Sequence, residues 1–370
     1  MVSNHPKNIH LKHRVKIVDL AQSLNLSKGT ISRALNDYAD ISDSTKLRVR
    51  KQAKIMGYIP LSSAQAIKTG RVRALGLVLR VDSHDSHHAF LTDFLDGVSR
   101  SAGTRNWTLT VATATSDEDE LQTFRRLVAE RKVDGFIITR CLVDDIRVGL
   151  LRDAQIPFIL YGRTNLDDNY SYFDISGEAA IDSAVCRLAA LGHKNIGFVN
   201  GPENLYFAQM RKNGYFAGLE KSNLTQSSSY IVSDVLTREQ GQVATQTLLT
   251  LPSPPTAIIF SLDMAALGGY RAVEKLNLSV GKDVSFIGYD GIPQGVYATP
   301  ALSTFEVDTR QAGERLATML IDQIRGEPVE KLNEIQHAKF TPRGSSNPPQ
   351  KTSEQLAEFI SGKHNKREIL

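Results

Sequence analysis

From residue 74 onward, short apolar runs of strand length alternate with stretches of helical periodicity, and this alternation narrows the fold more than any other feature. The first set of runs lies at 74–79, 108–112, 136–139 and 158–161, separated by helical stretches such as 90–102 and 118–130. A second set follows at 196–199, 230–232, 257–260 and 284–287, with 179–191, 238–249 and 265–276 between. Such spacing predicts parallel sheets built from right-handed βαβ units. Two sets in one segment predict two lobes. Ligands of such sheets lie beyond the carboxyl ends of the strands, so a cleft between the lobes is the expected site.

The first sixty residues follow a different rule. Val18, Ala21 and Leu24, then Ile31 and Leu35, recur at helical spacing on either side of a break, so two short helices can share one buried face. That is a helix-turn-helix. Ser27 stands where it can cap the second helix, whose outer face (Lys28, Gly29, Ser32, Arg33) is small, polar or basic and suits a major groove. A third helix is expected from about 44 to 56, with Asp43 or Ser44 as N-cap, Val49, Ala53 and Met56 inward, and Gly57 as its stop. Arg48, Arg50, Lys51 and Lys54 then face solvent or phosphate. Charge supports a polyanion partner for this part alone. Residues 1–73 carry 14 Lys and Arg against 4 Asp and Glu, and the remainder 30 against 36.

These motifs resemble those of the lactose-repressor (LacI) family of bacterial transcription regulators. Leu26-Ser27-Lys28-Gly29-Thr30-Ile31-Ser32-Arg33-Ala34-Leu35-Asn36 is close to the family's V-S-x-x-T-V-S-R-x-L-N. Ile41-Ser42-Asp43-Ser44-Thr45 and Met56-Gly57-Tyr58-Ile59-Pro60 match its V-S-x-x-T and L-G-Y-x-P. The resemblance implies double-stranded operator DNA as partner, with Lys28, Gly29 and Arg33 at the base edges and Ser27, Thr30, Ser32 and Asn36 on phosphates. Arg33 is the first candidate for base readout, since a guanidinium can bond guanine O6 and N7 together. Gly29 offers no side chain, which leaves readout there to Lys28 or to backbone approach.

The stretch 60–71 is too short and polar to be a stable helix by itself. In the resembling family the matching segment coils only on specific DNA and wedges an apolar side chain into the minor groove. Ala64 and Ile67 are the contacts this implies, with Ile67 where the family usually has Leu. Bending a site costs roughly 1–6 kcal/mol, which added contacts must offset.

The core resembles the family too, whose regulatory part is shaped like a periplasmic sugar-binding protein. The markers are 131–138, 191–199, 255–260 and 283–290. The resemblance implies that the chain crosses between lobes near Arg163, Ile292 and Gly326. It also implies effector contacts at Arg211, Asp290 and, more weakly, Asp174. An aromatic side chain such as Phe90 or Tyr206 offers a floor for the apolar face of a ring. A guanidinium and a carboxylate suit a polyol. A structural ion pair across the lobes is the alternative for Arg211 and Asp290. Relatives commonly carry Asn-Asp where this chain has Leu262-Asp263, so effector identity cannot be copied from any of them. The candidate cleft residues are mostly polar, which favours a sugar over a nucleobase.

Composition excludes several classes. No run approaches about 18 apolar residues, and the start lacks the apolar stretch of a signal peptide, so a cytoplasmic protein without membrane contact is expected. Cys141 and Cys186 are far apart, without a C-x-x-C, and suggest neither disulfide nor zinc. His84-Asp85-Ser86-His87-His88 has metal-ligand residue types, but a polar loop after a strand is its simpler reading, and no metal or cofactor is expected. No P-loop, zincin, G-x-S-x-G or Rossmann fingerprint supports an enzyme, and no catalytic residue is assigned. Leu356, Phe359 and Ile360 can form one apolar stripe, too short for a tetramerising coil, so a homodimer is expected. The expected layout is an all-α helix-turn-helix head at 1–60, a hinge at 61–70, a two-lobed α/β effector core at 71–345 and an extension at 346–370. The function expected is that of an effector-controlled DNA-binding regulator, most simply a repressor, with either sign of control open. The competing reading is a cytoplasmic sugar-binding or sugar-modifying protein with a basic docking head.

Overall fold

The computed structural model describes residues 15–59, 70–81, 88–166 and 169–364, with only the backbone of 88–90 and 363–364. The chain divides into two units, Met1–Val72 and Arg73–Leu370.

In the first unit, α1 (Ile17–Leu24), α2 (Lys28–Leu35) and α3 (Asp43–Met56) enclose a small core. Leu20, Ala21, Ile31, Ala34, Val49 and Ala53 are buried, with Ile17, Leu24, Leu35 and Met56 around them. The inner stripe of α1 is therefore Ile17, Leu20, Ala21 and Leu24. Val18, expected inside, stands beside that stripe because the i, i+3, i+4, i+7 set starts one residue earlier. Asn25, left-handed at φ 52°, closes α1, and the Ser27 hydroxyl accepts from the Thr30 N–H to open α2. The cap of α3 is Ser42, not Asp43 or Ser44: its hydroxyl accepts from the Thr45 N–H, and Asp43 is already helical. Gly57, at φ 68°, ends α3 as expected.

The second unit opens with β1 (Ala74–Arg80), α4 (His88–Thr104), β2 (Thr108–Ala114), α5 (Asp117–Ala129), β3 (Gly135–Ile138), α6 (Ile146–Asp153), β4 (Phe158–Tyr161) and β5 (Ser171–Ile175). Next come α7 (Gly177–Ala190), β6 (Ile196–Val199), α8 (Tyr206–Lys221), β7 (Ile231–Val232), α9 (Arg238–Leu249), β8 (Ala257–Phe260), α10 (Asp263–Lys275), β9 (Ser285–Asp290) and β10 (Ser303–Glu306). The chain ends with α11 (Thr309–Ile324), β11 (Asn333–Gln336), β12 (Lys339–Thr341) and α12 (Ser353–His364). One sheet has the order β11-β5-β4-β3-β1-β2 and is parallel throughout. The other, β12-β10-β9-β8-β6-β7, is parallel except where β12 runs against β10.

Helices cover both sheets, which is why β3, β6 and β8 read as unbroken apolar runs. In the first lobe α4 and α11 pack Phe94, Val98, Leu316 and Leu320 onto Leu75, Leu77, Ile137 and Ile159. In the second, α7 and α8 bury Ile181, Val185 and Tyr215 against Phe198 and Ile259. Leu248 and Ala266 of α9 and α10 meet Phe260 and Phe286 on its other face.

The lobe crossings lie farther along the chain than Arg163, Ile292 and Gly326. They fall at 175–177, 307–309 and 337–338, because one more strand joins the sheet edge before each departure: β5, β10 and β11. Val307 and Ala338 pack against the cores of both lobes. The segment after 345, expected as an extension, packs onto the second lobe. Leu356 and Ile360 are buried in the second lobe, with Phe359 packed beside them. Among the described residues no helix is long and apolar enough to cross a membrane.

Candidate ligand cleft and nucleic-acid interface

A cavity of about 240 Å3 opens between the lobes, at the carboxyl ends of β1, β3, β4, β5 and β9. Arg211, Asp290, Asp174 and Tyr206 all line it. Phe90 lies in α4, and its side chain is outside the described residues.

The first turns of α8 turn Tyr206, Phe207, Met210 and Arg211 toward the cavity. Arg211 is 9% exposed. Its guanidinium carbon stands 3.8 Å from the centre of the Tyr289 ring and 4.6 Å from that of Phe207, and its Nη1 donates to the Ser261 carbonyl at 2.5 Å. Two rings and one carbonyl thus hold the plane of the fork, while Nε is buried without a partner. Two glycines make the fit. A Cβ on Gly177 would meet Arg211 Nε at 2.9 Å, and one on Gly214 would stand 2.2 Å from the Glu178 carbonyl oxygen, so α7 and α8 touch backbone to backbone.

Asp290 ends β9 with φ 125°, a conformation few L-residues adopt. The neighbouring carboxylate of Asp263 secures that turn. Asp263 is fully buried and accepts from the N–H of Gly291 at 2.9 Å, the N–H of Ile292 at 3.0 Å and the Thr304 hydroxyl at 2.7 Å. Burial pushes the Asp290 carboxyl up to about 8, against the pull of Arg211 and with repulsion from Asp263. Burial also lifts Asp263 to about 6, although its three donors oppose the shift.

Asp174 sits in the cavity wall but is engaged within the protein. Its Oδ2 accepts from Arg163 Nε at 2.6 Å and its Oδ1 from the Ile175 N–H at 2.9 Å. Arg163 also reaches Glu178 of the other lobe at 2.7 Å. Among the described residues, the ion pair that crosses the lobes is therefore Arg163–Glu178. Arg211 and Asp290 stand on the same lobe and, among the described residues, form no ion pair with each other. The wall as a whole is less polar than the candidate residues by themselves. Much of the wall is apolar or aromatic, with Phe94, Tyr161, Tyr206, Phe207 and Tyr289 contributing rings and the polar groups confined to a few positions. Sequence reasoning missed Phe94, Tyr161, Glu178 and Phe207. Tyr161 ends a strand and the others lie in helices that follow strands, so the rule about strand ends was the usable signal.

On α2, Ser27, Lys28, Gly29 and Arg33 are exposed, and Thr30, Ser32 and Asn36 are part-buried. The hydroxyls of Ser27 and Thr30 bond each other at 2.9 Å, and Asn36 Nδ2 donates to the Ser32 carbonyl at 2.7 Å. Arg33 pairs with Asp40 and lies 5.7 Å from the centre of the Tyr38 ring, so its fork is steered rather than loose. Ala64, Ile67 and the histidines at 84 and 87 lie outside the described residues, as does the side chain of His88.

A three-helix head with an exposed basic second helix, and a separate two-lobed unit with a ligand cleft, define a DNA-binding regulator that answers to a small molecule. Residues 185–346 match the periplasmic binding protein-like domain family. The HTH-type transcriptional regulator AglR of Rhizobium meliloti (strain 1021) is 32% identical over 340 residues, covering 90% of this chain and 95% of that protein. A regulatory protein of the LacI family from Chloroflexus aggregans superposes with a TM-score of 0.69 at 28% identity, over 74% of this chain and 98% of that one. The transcriptional regulator CelR, solved as a cellobiose complex, shares the fold with a TM-score of 0.68 at 23% identity, over 90% and 100% of the two chains. This chain belongs to the LacI family of helix-turn-helix transcriptional regulators. The relatives named here are regulators, not enzymes.

Proposed function

We propose that the chain is a cytoplasmic, non-enzymatic repressor that binds a roughly palindromic operator as a homodimer and takes a neutral sugar in its cleft. The observation that carries the sugar reading is the state of the charges around the cavity. Arg163 is spent on Asp174 and Glu178, Arg80 pairs with Asp117, and Arg211 is fixed by Ser261 and two rings. An anionic ligand would find few uncommitted cations. A polyol instead finds aromatic faces for its C–H surfaces, with Asp290 and the Arg211 edge for its hydroxyls. That CelR was solved with cellobiose agrees with this choice.

In the head, Arg33 and Lys28 reach base edges and Gly29 lets the backbone come close. Ser27, Thr30, Ser32 and Asn36 meet phosphates, and Ala64 and Ile67 enter the minor groove from the hinge. Ligand binding changes operator affinity only through a difference in affinity for two states of the protein. Fluorescence anisotropy on the DNA upstream of its own gene, with and without a panel of neutral sugars, tests the whole scheme. A salt-resistant specific site whose affinity shifts with one sugar is expected. Indifference to DNA at low salt rejects the regulator, and indifference to every sugar rejects the effector class.

A further inference from the structure

A second cavity, of about 180 Å3, adjoins the first and shares Arg80, Thr139 and Arg140 with it. Between them runs a short backbone bridge from lobe to lobe. The Val143 N–H donates to the Asn204 carbonyl at 3.0 Å, the Tyr206 N–H donates to the Cys141 carbonyl at 2.9 Å, and Leu142 pairs antiparallel with Leu205. Side chains alternate along such a bridge. Cys141 and Tyr206 accordingly line the first cavity, and Leu142 and Leu205 the second.

The two chambers differ in chemistry. The first is ringed by aromatic groups. The second is floored by charge that is satisfied internally: Arg147 bonds Glu120 and Asp145 at 2.7 Å each, and all three are buried. Loop 202–205 of the other lobe forms its roof, so this chamber is built by both lobes. Neither cavity alone reaches the roughly 300–1,000 Å3 usual for a small-molecule pocket, whereas the two together do.

We infer that the effector is at least a disaccharide, with one sugar unit on the aromatic rings beside Arg211 and Asp290, and the next in the polar chamber beside Arg147 and Asn204. The glycosidic link then passes Arg80 and Thr139. A charge-balanced polar chamber suits a neutral hydroxylated unit, because it offers hydrogen-bond partners without demanding a counter-charge. A second unit held by both lobes also ties one lobe to the other, and a lone monosaccharide gains none of that. This rests on the sugar reading proposed above.

The test is calorimetry and thermal shift on the full chain with glucose, galactose, fructose, maltose, cellobiose, lactose, melibiose, sucrose and raffinose. At least one di- or trisaccharide should bind 30-fold or more tightly than each of its component monosaccharides. Asn204 is exposed at the chamber's edge, so Asn204→Trp fills that chamber without disturbing a core. It should lower the ratio of oligosaccharide to monosaccharide affinity tenfold or more. A monosaccharide that binds as tightly as its oligosaccharides, or an oligosaccharide indifferent to Asn204→Trp, overturns the two-chamber inference and leaves the sugar reading intact. Failure of every saccharide removes both.

Discussion

The carboxylate of Asp263 accepts a hydrogen bond from the N–H of Ile292 at 3.0 Å, and by that bond a residue outside the cavity wall holds the turn that presents Asp290 to it. The same carboxylate takes the Gly291 N–H and the Thr304 hydroxyl, so it links the start of α10 to β9 and β10. A Cβ at position 288 would stand 2.0 Å from Asp263 Oδ1, which explains why β9 carries Gly288 there.

Asp263→Asn would put an amide N–H against donors that need an acceptor. Leaving buried donors unpaired costs ~1–3 kcal/mol, so the unfolding free energy read from denaturant titration should fall by that amount. Sugar affinity should fall tenfold or more, with operator affinity in the absence of sugar unchanged. Calorimetry that returns the native sugar affinity would show that the turn holds without this carboxylate.

Asp290 sets a pH dependence whose sign follows from burial. Its folded value of about 8 lies above the ordinary 3.8, so the folded state binds the proton more tightly than the unfolded one. The stability this contributes is complete below 3.8 and is lost as pH rises through about 8. Wild-type Tm should therefore drop between pH 6 and pH 9 by more than that of Asp290→Asn, which stays neutral. Parallel curves for the two proteins would remove Asp290 as the cause.

Arg211→Lys keeps the charge but loses the flat fork that sits between Tyr289 and Phe207. A lysine cannot stack in that slot while reaching the Ser261 carbonyl in the same geometry. The ligand response of operator binding should vanish, while DNA affinity without ligand is retained. An anisotropy titration in which the variant still responds would take Arg211 out of the site.

Arg33→Ala should cost ~1–3 kcal/mol of specific operator binding and relax preference at one base position, with little change on random duplex. Its present partner Asp40 competes with that base. Asp40→Asn should therefore raise specific operator affinity modestly, since an exposed pair contributes only ~0–1 kcal/mol. Equal losses on specific and random DNA for Arg33→Ala would mark it as a phosphate contact.

Leu356 is wholly buried in the second lobe, far along the chain from the sheet it covers. Leu356→Ala should destabilise the effector unit by ~2–5 kcal/mol, read from denaturant unfolding. The mass in solution should be unchanged, because α12 spends its apolar stripe within its own chain. A shift in oligomeric state would show that the stripe also serves another copy.

Much of the architecture was legible because it is local. Ser27 three residues before Thr30, Gly57 after the Met56 turn and the unbroken apolar runs of β3, β6 and β8 each depend on neighbours a few positions away. The strands that escaped notice, β5, β10, β11 and β12, lie at sheet edges or carry polar residues, and their pairing partners lie elsewhere in the chain. Missing three of them moved each expected lobe crossing too early.

Sequence by itself determined the order of elements and the charged head, since periodicity, capping and motif spacing are written within short windows, while Arg211, Asp290 and Asp174 were placed near the cleft by resemblance to the LacI family. Only the tertiary structure decided what those residues do there. Asp174 turns out to orient Arg163, Arg163 spans the lobes to Glu178, and Asp263 braces the turn at Asp290 through the N–H groups of Gly291 and Ile292. Each of these contacts joins segments whose approach depends on how whole sheets and helices pack, and no local pattern encodes that distance.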